Sequence, residues 1–207
     1  MPPKPKFTKE EVVAAALEIT AEKGIEALTA RELGERLGSS ARPIFTVFKN
    51  MEELSNEVRL AAMRRFEEYA NKAVEYTPLL KKVGMQMVLF ACEEPKLYKL
   101  LFMSENKTAT SFEDVLKNLG LTADMCLKFL RENFGFSEKD ALIFFEQIWI
   151  YTFGIGAMCA TGMCRFSEEE LVQMLGTDFA AMMMLAKAGK LDAPSIIPQK
   201  TVDKPHD

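Results

Sequence analysis

Apolar side chains recur every three or four positions along most of the chain, and glycine and proline fall mainly between these stretches. That pattern predicts helices joined by short turns, and no alternating β-branched run marks a strand, so the expected fold is all-α. The first helix opens at "TKEE", where the Thr8 hydroxyl can accept a backbone N–H while Glu11 reaches back in a capping box. Val13, Ala16, Leu17 and Thr20 are expected on its buried face, Glu11, Glu18 and Glu22 on the other, and Gly24 at its end. A second box, "TARE", pairs Thr29 with Glu32 and starts a short helix that buries Leu33 and Leu37 and closes at Gly38. A third short helix follows in "SSARPIFTVF", capped by Ser39 or Ser40, with Pro43 tolerated in its first turn because that turn needs no N–H. Proline disfavours the helical region for the residue before it, which makes Arg42 an alternative cap. Ile44 and Phe48 should face inward, and Arg42, Pro43, Thr46 and Val47 outward.

A longer helix is expected over 51–76, connecting to a second region with helices at 78–92, 95–104, 111–118, 122–134, 138–163 and 168–188. Ser137 and Ser167 are the expected caps of the last two. The organisation read from the pattern is a basic arm at 1–7, a head at 8–50, a helical body at 51–188 and a disordered tail at 189–207.

Composition narrows the function. A net charge of −4 over 207 residues does not suit a protein that coats nucleic acid indiscriminately, although a local cationic surface is still allowed. "MPPKPKF" holds no signal-like apolar run, and Cys92, Cys126, Cys159 and Cys164 are too scattered for a disulfide framework, so a reducing cytoplasmic compartment is expected. The uncharged stretch 147–164 approaches the length of a membrane span, but its glycines and threonines favour a buried bundle helix, and no membrane association is expected. The single histidine, His206, lies in the tail, and no phosphate loop, nucleophile motif or ligand set is visible. The chain is therefore read as non-enzymatic, without cofactor or metal, and Cys159 and Cys164 as inert thiols.

Three short helices with a glycine turn before the third match a helix-turn-helix, in which one helix crosses the phosphate backbone and the next enters the major groove. The run "EKGIEALTARELGERLGSSARPIFTVFKNMEEL" resembles the DNA-binding head of the TetR family of bacterial transcriptional regulators, over about residues 8 to 60. The resemblance implies an all-α homodimer with a reading head on each subunit, a body that binds a small ligand, and a palindromic double-stranded DNA operator, most often repressed. It assigns Thr29 and Arg31 to phosphate, and Ser40, Arg42, Pro43, Phe45, Thr46, Val47 and Lys49 to bases or backbone. Arg42 can read guanine bidentately or simply hold a phosphate. Two departures subtract phosphate contacts: Phe45 stands where the family commonly has a tyrosine, and Met51 where it commonly has a lysine. The arm lysines Lys4, Lys6 and Lys9 could compensate. Residues 1–60 carry nine Lys or Arg against ten Glu, a net −1, so the alternative is an all-α ligand-binding or interaction module with weakened or lost DNA binding.

The body is rich in Met and Phe, which suits an apolar or aromatic ligand, and Met87, Phe90, Phe102, Phe144 and Trp149 are the candidate pocket residues, with core packing the plainer reading of each. Dimerisation is expected through the last two helices. The small residues Gly154, Gly156, Ala157, Ala160 and Gly162 would allow close approach, and Leu171, Leu175, Met182 and Leu185 would supply an apolar stripe.

Overall fold

The computed structural model describes residues 6–72, 79–105, 111–117 and 119–191. Most of the basic arm, the end of the connecting helix and the tail from 192 onward lie outside them. The helices are α1 (Lys9–Lys23), α2 (Ala30–Arg36), α3 (Met51–Asn71), α4 (Leu79–Glu93), α5 (Pro95–Phe102), α6 (Phe112–Lys117), α7 (Leu121–Phe134), α8 (Glu138–Thr161) and α9 (Glu168–Lys187), and the described residues contain no strand. Their ends follow local chemistry. Thr8 with Glu11 and Ser167 with Glu170 form full capping boxes, and Asn50 and Ser137 cap α3 and α8 through side-chain acceptors.

The first-helix face is rotated from the expected one. Val12, Ala16, Ile19 and Thr20 are the buried positions, because α1 packs on α3 and α5 at once. Val13 and Leu17 are only half-buried and line an open groove of about 820 Å³ against α3.

The head meets the body through α5, which touches α1, α3 and α8. Tyr98 of α5 is fully buried, and its hydroxyl donates to the Phe153 carbonyl at 3.1 Å. Gly156 of α8 makes room for that ring, since a Cβ there would lie 2.5 Å from the hydroxyl oxygen. Arg65 of α3 adds a polar tie, pairing with Glu18 of α1 at 2.9 Å and with Glu94 at the α4–α5 corner. Arg59 of α3 donates to the Leu100 carbonyl.

The apolar stretch at 147–164 belongs to α8, a helix long and apolar enough to cross a membrane that here packs on α4, α5, α7 and α9 as the centre of the body. Two of the small residues expected at a dimer seam, Gly156 and Ala160, are used within the protomer, whereas a Cβ on Gly154 or Gly162 would meet nothing within 4 Å. Gly156 faces Tyr98, Ala160 is buried in the core, and Leu171 and Leu175 of α9 cluster with Met85, Val88 and Ile155. Of the expected stripe, Leu171 and Leu175 are buried within the protomer, Met182 is half-buried and Leu185 is exposed; the large apolar side chains left exposed on α8 and α9 are Ile150, Tyr151, Val172, Met184 and Leu185.

Candidate nucleic-acid interface

Residues 28–50 build one exposed corner of the head. Leu28 and Leu33 are buried, with Thr29 between them at the start of α2, its hydroxyl accepting the Glu32 N–H at 3.2 Å. The reciprocal half of that box does not form, because the Glu32 carboxylate takes Lys23 at 2.6 Å. After α2 the chain doubles back tightly: the Ser39 N–H donates to the Gly34 carbonyl at 2.8 Å, and Gly38 adopts a positive φ of 61°. Gly34 permits the reversal. A Cβ there would meet three backbone atoms of Ser39, Ser40 and Ala41 at 3.0 Å. The only sequence signal for this role of Gly34 is the repeated glycine of "LGERLG".

The expected third helix is a single 3-10 turn, Ile44–Thr46, and not a regular α-helix. Its first bond runs from the Ile44 N–H to the Ala41 carbonyl, so neither Ser39 nor Ser40 nor Arg42 supplies a side-chain cap. Two causes shorten it. Pro43 fixes the entry, and the Thr46 hydroxyl donates to the Pro43 carbonyl at 2.6 Å, satisfying a helix acceptor locally in a stretch rich in β-branched residues. Ile44 and Phe48 are buried as expected, anchoring the turn to the head core.

The outward side chains form a small cationic surface. Ser40, Arg42, Thr46 and Lys49 are exposed, Phe45 is 45% exposed, and Pro43 and Val47 are half-buried at its edge. Most acids of the head are engaged elsewhere: Glu22 holds Arg36, Glu35 holds Arg31 at 2.9 Å, and Glu18 holds Arg65. Glu53 accepts the Lys49 backbone N–H at 2.7 Å and pairs with Lys9 at 3.3 Å; the amide first, and the lysine after it, hold its carboxyl below the usual carboxylate range. Arg42 and the Lys49 ammonium make no ion pair among the described residues, and Lys6 reaches the same corner by donating to the Ser39 hydroxyl at 3.0 Å. The acid nearest this corner, Glu53, is thus already committed to the Lys49 amide and to Lys9. Arg31, by contrast, is highly exposed but already paired with Glu35, which raises its pKa first by hydrogen bonding and then by charge. Met51 is half-buried against the head core, so this position contributes packing and no charge.

The five apolar candidates of the body separate into different surroundings. Met87 and Trp149 share a cavity of about 20 Å³ with Cys126, Phe145 and Thr152. The Thr152 hydroxyl, buried beside it, has no hydrogen-bond partner among the described residues. Phe90 and Phe102 instead pack edge-on against Phe66, at ring distances of 5.5 and 5.1 Å, and Phe144 packs on Phe136 and Phe179. Phe90 and Phe144 fill core, covered by α3 and α9, while Phe102 is half-buried and also lies edge-on to Trp149 at 5.7 Å, behind the cavity wall.

Residues 12–58 match the profile described as bacterial regulatory proteins, tetR family. Among solved structures, a TetR-family transcriptional regulator from Vibrio parahaemolyticus is similar at 18% identity and TM-score 0.58, over 84% of this chain and 97% of that one. A TetR variant from Acinetobacter baumannii in complex with minocycline is similar at 19% identity and TM-score 0.56, over 88% and 98%. A TetR-family regulator from Mesorhizobium loti follows at 19% identity and TM-score 0.57, over 86% and 95%. At these identities the likeness establishes the fold. No curated protein matches the chain.

Proposed function

We propose that this chain, whose residues 12–58 match the profile of bacterial regulatory proteins of the tetR family, is a cytoplasmic, ligand-responsive repressor that binds a palindromic operator as a homodimer. The observation that carries this reading is the corner at 40–49, where Arg42 and the Lys49 ammonium are exposed without ion pairs among the described residues, and Lys6 reaches Ser39, on a turn anchored by Ile44 and Phe48. Arg42 reads a base edge, Phe45 and Val47 make apolar contact, and Ser40, Thr46 and Lys49 meet the backbone; Thr29 and Arg31 flank them on phosphate. The dimer forms through the exposed apolar side chains of α8 and α9, Ile150, Tyr151, Val172, Met184 and Leu185, and sets the spacing of the two heads.

The ligand is small and mainly apolar with one polar atom. Met87 and Trp149 line its cavity, and Thr152 meets the polar atom. Entry requires α4, α7 and α8 to move apart, and the ligand weakens operator binding by its preference for that opened body. Unbiased selection of bound duplexes tests the reading. A palindromic consensus with two half-sites is the expected result. Failure to enrich any sequence, with a stable dimer still present, would favour a ligand-binding module that has lost DNA, for which Phe45 and Met51 are the residues responsible.

A further inference from the structure

The fold sets Cys92 of α4 and Cys159 of α8, 67 positions apart in sequence, on neighbouring helices. Helices α4 and α8 run side by side in one register. A Cβ on Gly84 would lie 3.4 Å from the Thr152 hydroxyl, and one turn later Val88 packs in a cluster with Ile155. A further turn along both helices sets Cys92 and Cys159 at matching positions, close enough for Cys92 to act electrostatically on the Cys159 thiol. Cys92 is exposed at the end of α4, whereas Cys159 is partly buried against both apolar clusters of the core. Among the described residues no three such side chains converge as metal ligands, which favours thiol chemistry over an ion site.

We propose that Cys92 and Cys159 are a peroxide-responsive pair that closes into a disulfide joining α4 to α8. Hydrogen peroxide reaches the exposed Cys92 first, oxidising its thiol to a sulfenic acid while one water leaves. The Cys159 sulfur then attacks the Cys92 sulfur, and the displaced hydroxyl departs with the Cys159 proton as a second water. Two thiols and one peroxide thus give one disulfide and two waters. Burial, with Cys92 beside it, pushes the Cys159 thiol up, which disfavours it as the first target; it loses its proton only as it attacks the oxidised Cys92. The link pins the α4–α5 corner, where Glu94 holds Arg65 of the connecting helix.

The test uses the full-length reduced protein, treated with a small molar excess of hydrogen peroxide, alkylated and digested with trypsin. The expected product joins the peptide 83–96 to the peptide 140–165, with Cys126 still free and reactive only after unfolding. Cys159 and Cys164 share the second peptide, so the linkage is repeated in Cys164→Ser, which should keep it, and in Cys92→Ser, which should lose it. Loss of the link in Cys164→Ser, a Cys159–Cys164 loop, a Cys92-linked dimer, or over-oxidised Cys92 beside a free Cys159 would each overturn the pairing. None of these readouts involves DNA, so the pair stands or falls apart from the regulator reading.

Discussion

Replacing Gly156 with alanine should loosen the joint between body and head. The added Cβ would stand 2.5 Å from the Tyr98 hydroxyl oxygen, 2.8 Å from Cζ and 3.1 Å from Cε2, so the ring must shift. The ring has little room to do so, being fully buried, edge-on to Phe102 at 5.0 Å and stacked on Phe153 at 6.3 Å. Overpacking of this kind costs about 1–3 kcal/mol. Pulling the hydroxyl from the Phe153 carbonyl adds about 1–3 kcal/mol for a buried polar group left unpaired. Alanine's better helix propensity returns about 1 kcal/mol. The net loss is about 3 kcal/mol, which for a chain of this size lowers Tm by about 6–12 °C. Thermal and urea unfolding of Gly156→Ala measure it. Tyr98→Phe removes the closest contact, so the double variant should lose less than the sum of the singles by about 1 kcal/mol or more. A Gly156→Ala protein as stable as the parent would refute the close approach.

Other expectations are simpler to check. Asn50→Ala should destabilise the protein by about 1 kcal/mol in urea unfolding, because the Asn50 side chain accepts the Glu53 N–H at 2.8 Å as the α3 cap. Glu53 has a folded-state pKa below its unfolded value, so its stabilisation is present above the unfolded pKa and is lost as the pH falls through the folded one. Glu53→Gln should accordingly flatten the acid limb of a Tm-against-pH curve and leave its slope at neutral pH unchanged. Thr152→Val should raise stability by about 1 kcal/mol, since it removes a buried hydroxyl without a partner; a loss of stability would mean the hydroxyl is satisfied in solution.

Helix ends were the most legible feature, because caps depend on neighbours in sequence. Thr8 with Glu11 behaves as its four-residue pattern implies, as does the Ser167 cap. Long-range competition was not legible. Glu32 leaves the Thr29 box for Lys23, and α1 turns its Val12–Ile19 face inward because α3 and α5 both press on it. The residues of the candidate interface were placed on one corner by their spacing around Pro43, but that they form one 3-10 turn depends on the Thr46 hydroxyl bond. In the body, periodicity could not tell a cavity wall from core. It grouped Met87 and Trp149 with Phe90 and Phe144, which are packed elsewhere, and with Phe102, which touches Trp149 from outside the cavity, and it separated Cys92 from Cys159, which lie on neighbouring helices.

The most direct measurement of the central claim is the affinity of the intact protein for its best selected duplex across a series of salt concentrations, repeated with Arg42→Ala. A reading head at 40–49 predicts a steep linear fall of log K with log salt, and a loss of about 1–3 kcal/mol for Arg42→Ala confined to one operator position. Binding that ignores salt, or no binding to any duplex at low salt, would contradict it.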